Sequence, residues 1–225
     1  MVYHNALHAA DVLYNMWFFM RSNYFKDKVQ ISDVQVFAGL MAALIHDVGH
    51  PGTNNKYHID SQSKLALLYN DTSVLENHHV SLAWKTLQIP RCNFLKNHQK
   101  SDFGTRLRKI VIQCVLGTDM TKHSAQISML QSMIKLIDQN IHNELEIDLG
   151  VQDDMIELAL HVADISNPAK SFPIAEAWAY KISEEFFQQG DLQVCFLSIS
   201  LHSAVANEWL MCTEIRKFGR IAVIR

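Results

Sequence analysis

The sequence predicts an all-α fold, a compact bundle of several helices. The chain has 225 residues, of which 48% are hydrophobic and 19% charged, a balance typical of a globular protein with a sizeable core. It has only eight glycines and four prolines, too few turn-forming residues for a sandwich or barrel of many short strands. Apolar residues recur every three or four positions along most of the chain, as on one face of an α-helix.

The first two helices are predicted from this spacing and from capping residues. Apolar residues recur at helical intervals between His4 and Phe25. Ser32 or Asp33 can cap a second helix, which continues through an apolar segment to Asp47. The segment Gly49–Gly52, which contains a proline, ends that helix.

Further helices are predicted downstream, and each has a recognisable start or stop. They run from Asp60 or Ser61 to Asn70, and over Val74–Leu87, Asp102–Leu116, Thr121–Leu145, Asp153–Ile165 and Pro173–Gln189. Pro90 follows the second of these, and Gly117 the third. Pro173 suits a first helical turn, and Gly190 suits the residue after a helix end.

The tail from Leu192 onward has no sustained pattern. Phe196–Leu201 alternates apolar residues and serines as a strand does, and Val205–Met211 is compatible with a helix. We therefore divide the chain at this point, with residues 3–193 as the main domain and residues 194–225 as a divergent tail.

Charge and cysteine content exclude several classes of protein. Twenty basic and 23 acidic residues give a net charge of −3, so the composition does not favour binding to nucleic acid or to an anionic membrane. The four cysteines form no closely spaced pair, which indicates free thiols in a reducing compartment. The longest apolar run, Val36–Ile45, is too short to cross a bilayer, and no signal peptide opens the chain. We therefore expect a cytoplasmic protein without a membrane segment, although an anchor on a longer product would not be seen in this chain.

Histidine is the unusual residue, with twelve copies. His4 and His8 lie four residues apart near the start of the first predicted helix, so both rings project from one face. The segment His46–His50 repeats that spacing and includes Asp47, while Asp164 lies on a strongly apolar helix where a carboxylate is costly to bury unless it is paired or bound to metal. Each feature alone is weak, but together they predict a metal site in the core of the bundle, because imidazole and carboxylate ligands from several helices can converge there.

Several segments, in order, resemble the signatures of class I cyclic nucleotide phosphodiesterases. The matching segments are Tyr3–Val12, His46–Gly52 with Asn54 and Asn55, Val74–His79, Thr118–His123, Ala163–Pro168 and Phe186–Asp191. The resemblance extends from Tyr3 to about Gln193, which is most of the chain. It implies a compact helical phosphodiesterase catalytic domain of the type built on a His-Asp metal site.

The resemblance also implies a catalytic centre with two divalent metal ions. The residues that match the family's ligands to the tighter metal, usually zinc, are His8, His46, Asp47 and Asp164. Asp47 would bridge to a second metal, magnesium or manganese, and the hydroxide between the two metals would attack the cyclic phosphate. By the same resemblance His4 is the general acid that protonates the leaving 3′-oxygen. Histidine suits that role because the ordinary pKa of an imidazole lies near working pH.

Other residues receive supporting roles by resemblance. The positions expected to hold metal-bound waters or the histidines are His50, Asn55, Glu76 and Thr118. The substrate-binding positions are expected to be Tyr3, Met120, Ile165, Asn167, Ile182 and Phe186, although the apolar members fit a plain helical core equally well and Asn167 fits a turn before Pro168. Three histidines, His78, His79 and His123, are expected to be structural or to lie behind the ligands.

The chain also departs from the family pattern. Family members read the purine with a glutamine on a later helix, yet the last glutamine here is Gln193, and no proline follows Pro173. The first signature begins two residues after Met1, whereas the family's catalytic domain begins several helices earlier. We therefore expect an incomplete catalytic domain, a fragment, splice form or gene-model product whose exposed apolar faces would lower its stability.

The sequence favours hydrolysis of a 3′,5′-cyclic nucleotide to its 5′-monophosphate, with cAMP slightly preferred over cGMP because of the context of Asn167. One alternative is another nucleotide phosphohydrolase with a His-Asp metal site. The other is a catalytically inactive regulatory or interaction fragment. The histidine pair His4 and His8 favours cyclic nucleotide hydrolysis over another phosphohydrolase activity, since it supplies a dedicated proton donor beside the metal. The sequence indicates a cyclic nucleotide as the ligand, and it does not indicate an oligomeric state.

Overall fold

The computed structural model describes residues 1–139 and 147–205, and those ranges contain helices and no strand. The α-helices are α1 (Ala6–Arg21), α2 (Asp33–Ile45), α3 (Asn55–Asp60), α4 (Lys64–Tyr69), α5 (Val74–Thr86), α6 (Asp102–Leu116), α7 (His123–Gln139), α8 (Leu149–Asp164) and α9 (Phe172–Val205). A six-residue π-helix (Tyr24–Val29) follows α1, and single 3₁₀ turns lie at Pro90–Cys92, Met120–Lys122 and Asn167–Ala169. The predicted all-α bundle is confirmed.

Polar side chains before the helices explain where several of them begin. Asn5 accepts a hydrogen bond from the amide of Leu7 and starts α1. At α2 the sequence left two capping residues open, and the structure selects Ser32, whose amide donates to the Gln35 side chain at 2.9 Å. Ser101 accepts from the amide of Gly104 at the start of α6.

The core lies where α1, α2, α6 and α8 pack against one another. Each helix contributes a stripe of small and branched residues at intervals of three or four, as expected for amphipathic helices. The fully buried members are Val12 and Met16 of α1, Ala38, Ala42 and Ala43 of α2, Leu107, Ile110, Val111, Cys114 and Val115 of α6, and Ile156, Leu160 and Ala163 of α8. This core fixes the ends of the four helices relative to one another.

Three sequence predictions about helices were wrong or incomplete. The helix expected from Asp60 or Ser61 to Asn70 is two short helices, α3 and α4, because Ser63 caps a new start through the amide of Ala66. Gly190 does not end a helix, and the segment Phe196–Leu201 is helical rather than a strand, since α9 continues through both to Val205. One helical glycine costs only about 1 kcal/mol relative to alanine, too little to stop a long helix. The predicted end of α7 at Leu145 lies outside the described residues.

Residues 1–185 form one compact unit, which contains the four potential metal ligands, His4 and the residues that contact them below. A second unit begins at Phe186, and the structure describes it as far as Val205. Among the described helices, none is both long enough and apolar enough to cross a membrane.

Candidate metal centre

Four potential metal ligands converge at the ends of three helices. His8 lies on the buried stripe of α1, one turn before Val12, and its side chain is fully buried. His46 is the residue that ends α2, and Asp47 follows it directly. Asp164 is the last residue of α8. The packing of α1, α2 and α8 therefore brings together residues that are up to 156 positions apart in the chain.

The ligand atoms of these residues lie at the distances found around one cation. The Nε2 atom of His8 is 2.9 Å from Oδ1 of Asp164 and 3.3 Å from Oδ2 of Asp47. The Nε2 atom of His46 is 3.0 Å from Oδ2 of Asp47 and 3.3 Å from Oδ1 of Asp164. The two Nε2 atoms are 3.3 Å apart. Ligands at about 2.0–2.1 Å from zinc lie roughly 3.3 Å from each other in a tetrahedral site, so this set of four fits such an ion.

The tautomer of His46 also fits a metal ligand. Its Nδ1–H donates to the carbonyl of Ala43 at 2.9 Å, because a carbonyl oxygen can only accept. In the neutral ring the Nε2 lone pair is then directed at the centre of the cluster. Metal-binding histidines are commonly oriented in this way by a hydrogen bond from the other ring nitrogen.

The electrostatics of the cluster favour positive charge at its centre. Burial lowers the pKa of His8, but hydrogen bonds to Asp164 and Asp47 outweigh burial and raise that pKa above its ordinary value. Burial is likewise outweighed at His46, where the charges of the two carboxylates raise the pKa. The pKa of Asp47 and of Asp164 falls well below its usual range, since the charge of His46 outweighs the effect of burial. Divalent cations supply the positive charge that these carboxylates require.

His4 lies beside the four ligands and is paired with a carboxylate that the sequence analysis missed. Its Nδ1 hydrogen-bonds to Glu185, whose other carboxylate oxygen accepts from the amides of Tyr3 and His4 at 2.9 and 3.2 Å. Burial raises the pKa of Glu185, but the hydrogen bond from the His4 ring outweighs it and lowers the pKa overall. The only signal available in the sequence was helical spacing, because Glu185 lies two turns after the buried Trp178 on α9.

His50 and His79 complete the polar wall around Asp47. The ring of His50 stacks on that of His4, with centroids 3.8 Å apart, and its Nδ1 accepts from the amide of Gly52. Burial and the charge of His4 lower the pKa of His50 to about 3. His79 donates from Nδ1 to the carbonyl of Val48, and its Nε2 lies 3.8 Å from the Asp47 carboxylate. Among the described residues, His4, Asp47 and His50 form a second group whose potential ligand atoms all lie within 4.8 Å of one another.

Asn55 and Glu76 are hydrogen-bonded to each other. The Asn55 amide donates to both carboxylate oxygens of Glu76, at 3.2 and 2.9 Å, and its oxygen accepts from the amide of Leu75. Burial raises the pKa of Glu76. Thr118 is buried near the end of α6, where its hydroxyl donates to the carbonyl of Val115. These contacts link α3 with α5, while those of Thr118 remain within its own helix end.

The residues expected to bind substrate fall into two groups. Tyr3 and Asn167 are hydrogen-bonded to each other, with the Tyr3 hydroxyl donating to the Asn167 side-chain oxygen at 2.8 Å. Met120 and Ile165 are surface residues, with 58% and 38% of their area exposed, rather than plain core. Ile182 is half-buried, and Phe186, the first residue of the second unit, is exposed.

Comparison with known proteins identifies strong similarity to one enzyme family. The family model for 3′5′-cyclic nucleotide phosphodiesterase matches residues 3–207. The chain is 39% identical over 191 residues to the dual specificity calcium/calmodulin-dependent 3′,5′-cyclic nucleotide phosphodiesterase 1 of Drosophila melanogaster. It is 38% identical over 190 residues both to the probable 3′,5′-cyclic-AMP phosphodiesterase pde-4 of Caenorhabditis elegans and to the 3′,5′-cyclic-AMP phosphodiesterase 4C of Mus musculus.

These alignments cover most of this chain and a smaller part of each relative. They include 84–85% of the present chain but 22%, 28% and 27% of the fly, worm and mouse proteins, respectively. The crystal structure of the phosphodiesterase domain of the RhoPDE fusion protein from the choanoflagellate Salpingoeca rosetta aligns with a TM-score of 0.77 and 35% identity. That alignment covers 87% of this chain and 59% of the solved one.

Proposed function

This chain belongs to the 3′,5′-cyclic nucleotide phosphodiesterase family, and we propose that it hydrolyses a 3′,5′-cyclic nucleotide to the 5′-monophosphate. One observation carries the proposal. The four-residue cluster of His8, His46, Asp47 and Asp164 lies directly beside a separate histidine, His4, that is paired with a buried carboxylate. Metal ligands next to an independent proton donor are what cleavage of a cyclic phosphate ester requires.

The donor chemistry supports zinc at the cluster and a harder cation beside it. Two imidazole nitrogens and two carboxylate oxygens are typical zinc ligands. Asp47 also belongs to the second group, with His4 and His50, where magnesium or manganese would be held mainly through that carboxylate and through water. When bound, the two cations supply an activated water near neutral pH and neutralise charge on the phosphoryl oxygens.

His4 is proposed as the proton donor to the leaving 3′-oxygen. Because Glu185 occupies its Nδ1, the Nε2 atom is the ring nitrogen left to deliver a proton. Glu185 and the stacked ring of His50 hold the imidazole in one orientation. Catalytic histidines are commonly oriented by a buried carboxylate in this way.

For the base, we propose a preference for cAMP. Two of the relatives, from worm and mouse, are named for cyclic AMP, and the fly relative is named for dual specificity. The Asn167 amide is proposed to meet the purine edge with the N–H and lone pair that its contacts with Asp11 and Tyr3 leave over.

The test combines metal content with turnover in one set of proteins. The purified chain is loaded with zinc and magnesium, dialysed and analysed for bound zinc, then assayed with cAMP and cGMP. We expect about one tightly held zinc per chain and release of 5′-monophosphate. His46→Ala should lose the zinc and the activity, whereas His98→Ala, which changes an exposed histidine outside the site, should retain both.

The two readouts separate the ways in which the proposal can fail. A chain that retains zinc but releases no 5′-monophosphate from either nucleotide would show that hydrolysis is not its function. A chain from which His46→Ala removes no zinc would show that the cluster is not the tight metal site. Faster turnover of cGMP than of cAMP would overturn the base preference alone.

A further inference from the structure

Asp11 lies outside the metal cluster but on the same helix as His8, three residues further along α1. Its Oδ1 accepts from the Lys170 ammonium at 2.7 Å, and its Oδ2 accepts from Nδ2 of Asn167 at 3.3 Å. The Lys170 and Asp11 side chains are only 19% and 18% exposed, so the pair is shielded from water over most of its surface. Asn167 itself is buried.

The chemistry of these groups determines how the Asn167 amide is oriented. An ionised carboxylate can only accept, so the side of the amide that faces Asp11 must be the nitrogen. The oxygen then faces Tyr3 and accepts from its hydroxyl at 2.8 Å. A reversed amide would place two acceptors against each other at Asp11. Lys170 holds the Asp11 carboxylate in place, and the carboxylate in turn holds the amide in one orientation.

A series of contacts connects the oriented Asn167 amide to His4, the proposed proton donor. Tyr3 is held by Asn167 through its hydroxyl, by Glu185 through its amide, and by Trp178 and His8 through its ring, whose centroid lies 5.5 and 4.6 Å from theirs. His4 is the next residue and donates to the same carboxylate. The short bent segment before α1 is therefore held at Tyr3 from two sides.

We propose that Asp11 is a positioning residue, which acts through Asn167 and Tyr3 to hold His4 against Glu185. This inference deepens the proposed function and rests on it for the role of His4, but the physical linkage does not depend on catalysis. It also explains why Asn167 offers a ligand only part of its hydrogen-bonding capacity, since one N–H and one lone pair are engaged inside the protein.

The first test is amide hydrogen exchange measured by NMR, which requires no activity. Asp11→Ala should lower the protection of the Tyr3 and His4 amides by about tenfold or more, while protection in the core helices stays within about twofold. Asn167→Ala should have the same effect, and the double variant should add little to either, because both break the same chain of bonds. Asp60→Ala, which removes an exposed ion pair with Lys56, is the matched control and should change neither amide. Unchanged protection of Tyr3 and His4 in Asp11→Ala would overturn the inference.

The second test asks whether the proton donor is affected specifically. Asp11→Ala should slow cyclic nucleotide hydrolysis by about tenfold or more, because the ribose oxygen leaves poorly without a proton. Hydrolysis of bis(p-nitrophenyl) phosphate, whose leaving group needs no proton, should change less than about twofold. An equal loss for both substrates would contradict positioning of His4 and would indicate general damage to the site. If the wild-type chain hydrolyses neither substrate, the proposed function fails, and hydrogen exchange still decides the linkage.

Discussion

Glu185 is the site residue that the sequence analysis missed, and its removal gives the sharpest prediction. The carboxylate accepts three hydrogen bonds, from the amides of Tyr3 and His4 and from Nδ1 of His4. Its side chain is only 4% exposed, so water has little access to the donors that it satisfies. Glu185→Ala therefore removes the acceptor of three donors at once.

The size of the effect follows from the number of bonds and their exposure. A hydrogen bond to a charged group contributes about 1.5–3 kcal/mol to stability. Three such bonds therefore set an upper limit on the loss that is about three times the contribution of one bond. His4 is 19% exposed and regains some water when Glu185 is removed, which reduces the net cost. We expect a loss of about 3 kcal/mol in the free energy of unfolding. At about 2–4 °C per kcal/mol for a chain of this size, the melting temperature should fall by roughly 6–12 °C.

The measurement is thermal unfolding followed by circular dichroism, with a matched variant on the same helix. Glu176→Ala changes an exposed glutamate of α9 and should shift the melting temperature by less than about 2 °C. Glu185→Gln keeps an oxygen for the two amides and should lose about 1 kcal/mol. Equal melting temperatures for Glu185→Ala and Glu176→Ala would refute the reasoning, because the three hydrogen bonds would then contribute nothing.

Two further predictions concern the loop after α2 and the acid stability of the fold. Gly49 has a φ of +73°, and a Cβ there would approach Leu82 to 2.5 Å, so Gly49→Ala should cost about 1–3 kcal/mol in urea unfolding. Gly190→Ala, in open space within α9, should be neutral or slightly stabilising, and equal effects of the two would argue against strain at Gly49. Burial raises the pKa of Asp119, but hydrogen bonds from Ser73 and Thr121 outweigh it and lower the pKa below its ordinary value of 3.8. Asp119 therefore stabilises the fold above about pH 4 and loses that contribution as pH falls through its folded pKa. Asp119→Asn should flatten the decline in urea midpoint below pH 4, whereas the exposed Asp60→Asn should leave it unchanged.

The helices and the family were readable from the sequence because both depend on local patterns. Asp102–Leu116 was predicted at the bounds the structure gives, since Ser101 caps it and its apolar stripe is regular. The His46–Gly52 signature was likewise recognisable because it is a contiguous sequence motif. The long course of α9 was not, because a glycine and an alternation of serines are weak local signals that helix continuation overrides.

The imidazoles and carboxylates of the site, and the predicted helices that carry them, could be read from the amino-acid sequence. Which of these groups meet depends on how the helices pack. Glu185 of α9 lies against His4 across 181 residues. Packing of α1, α2 and α8 brings His8 to within 3 Å of Asp164 across 156 residues. It also engages Asn167 with Tyr3 and Asp11, which no local pattern indicated. Helix periodicity fixes only the face on which a side chain lies, whereas the partner of that side chain depends on how the core packs distant helices together.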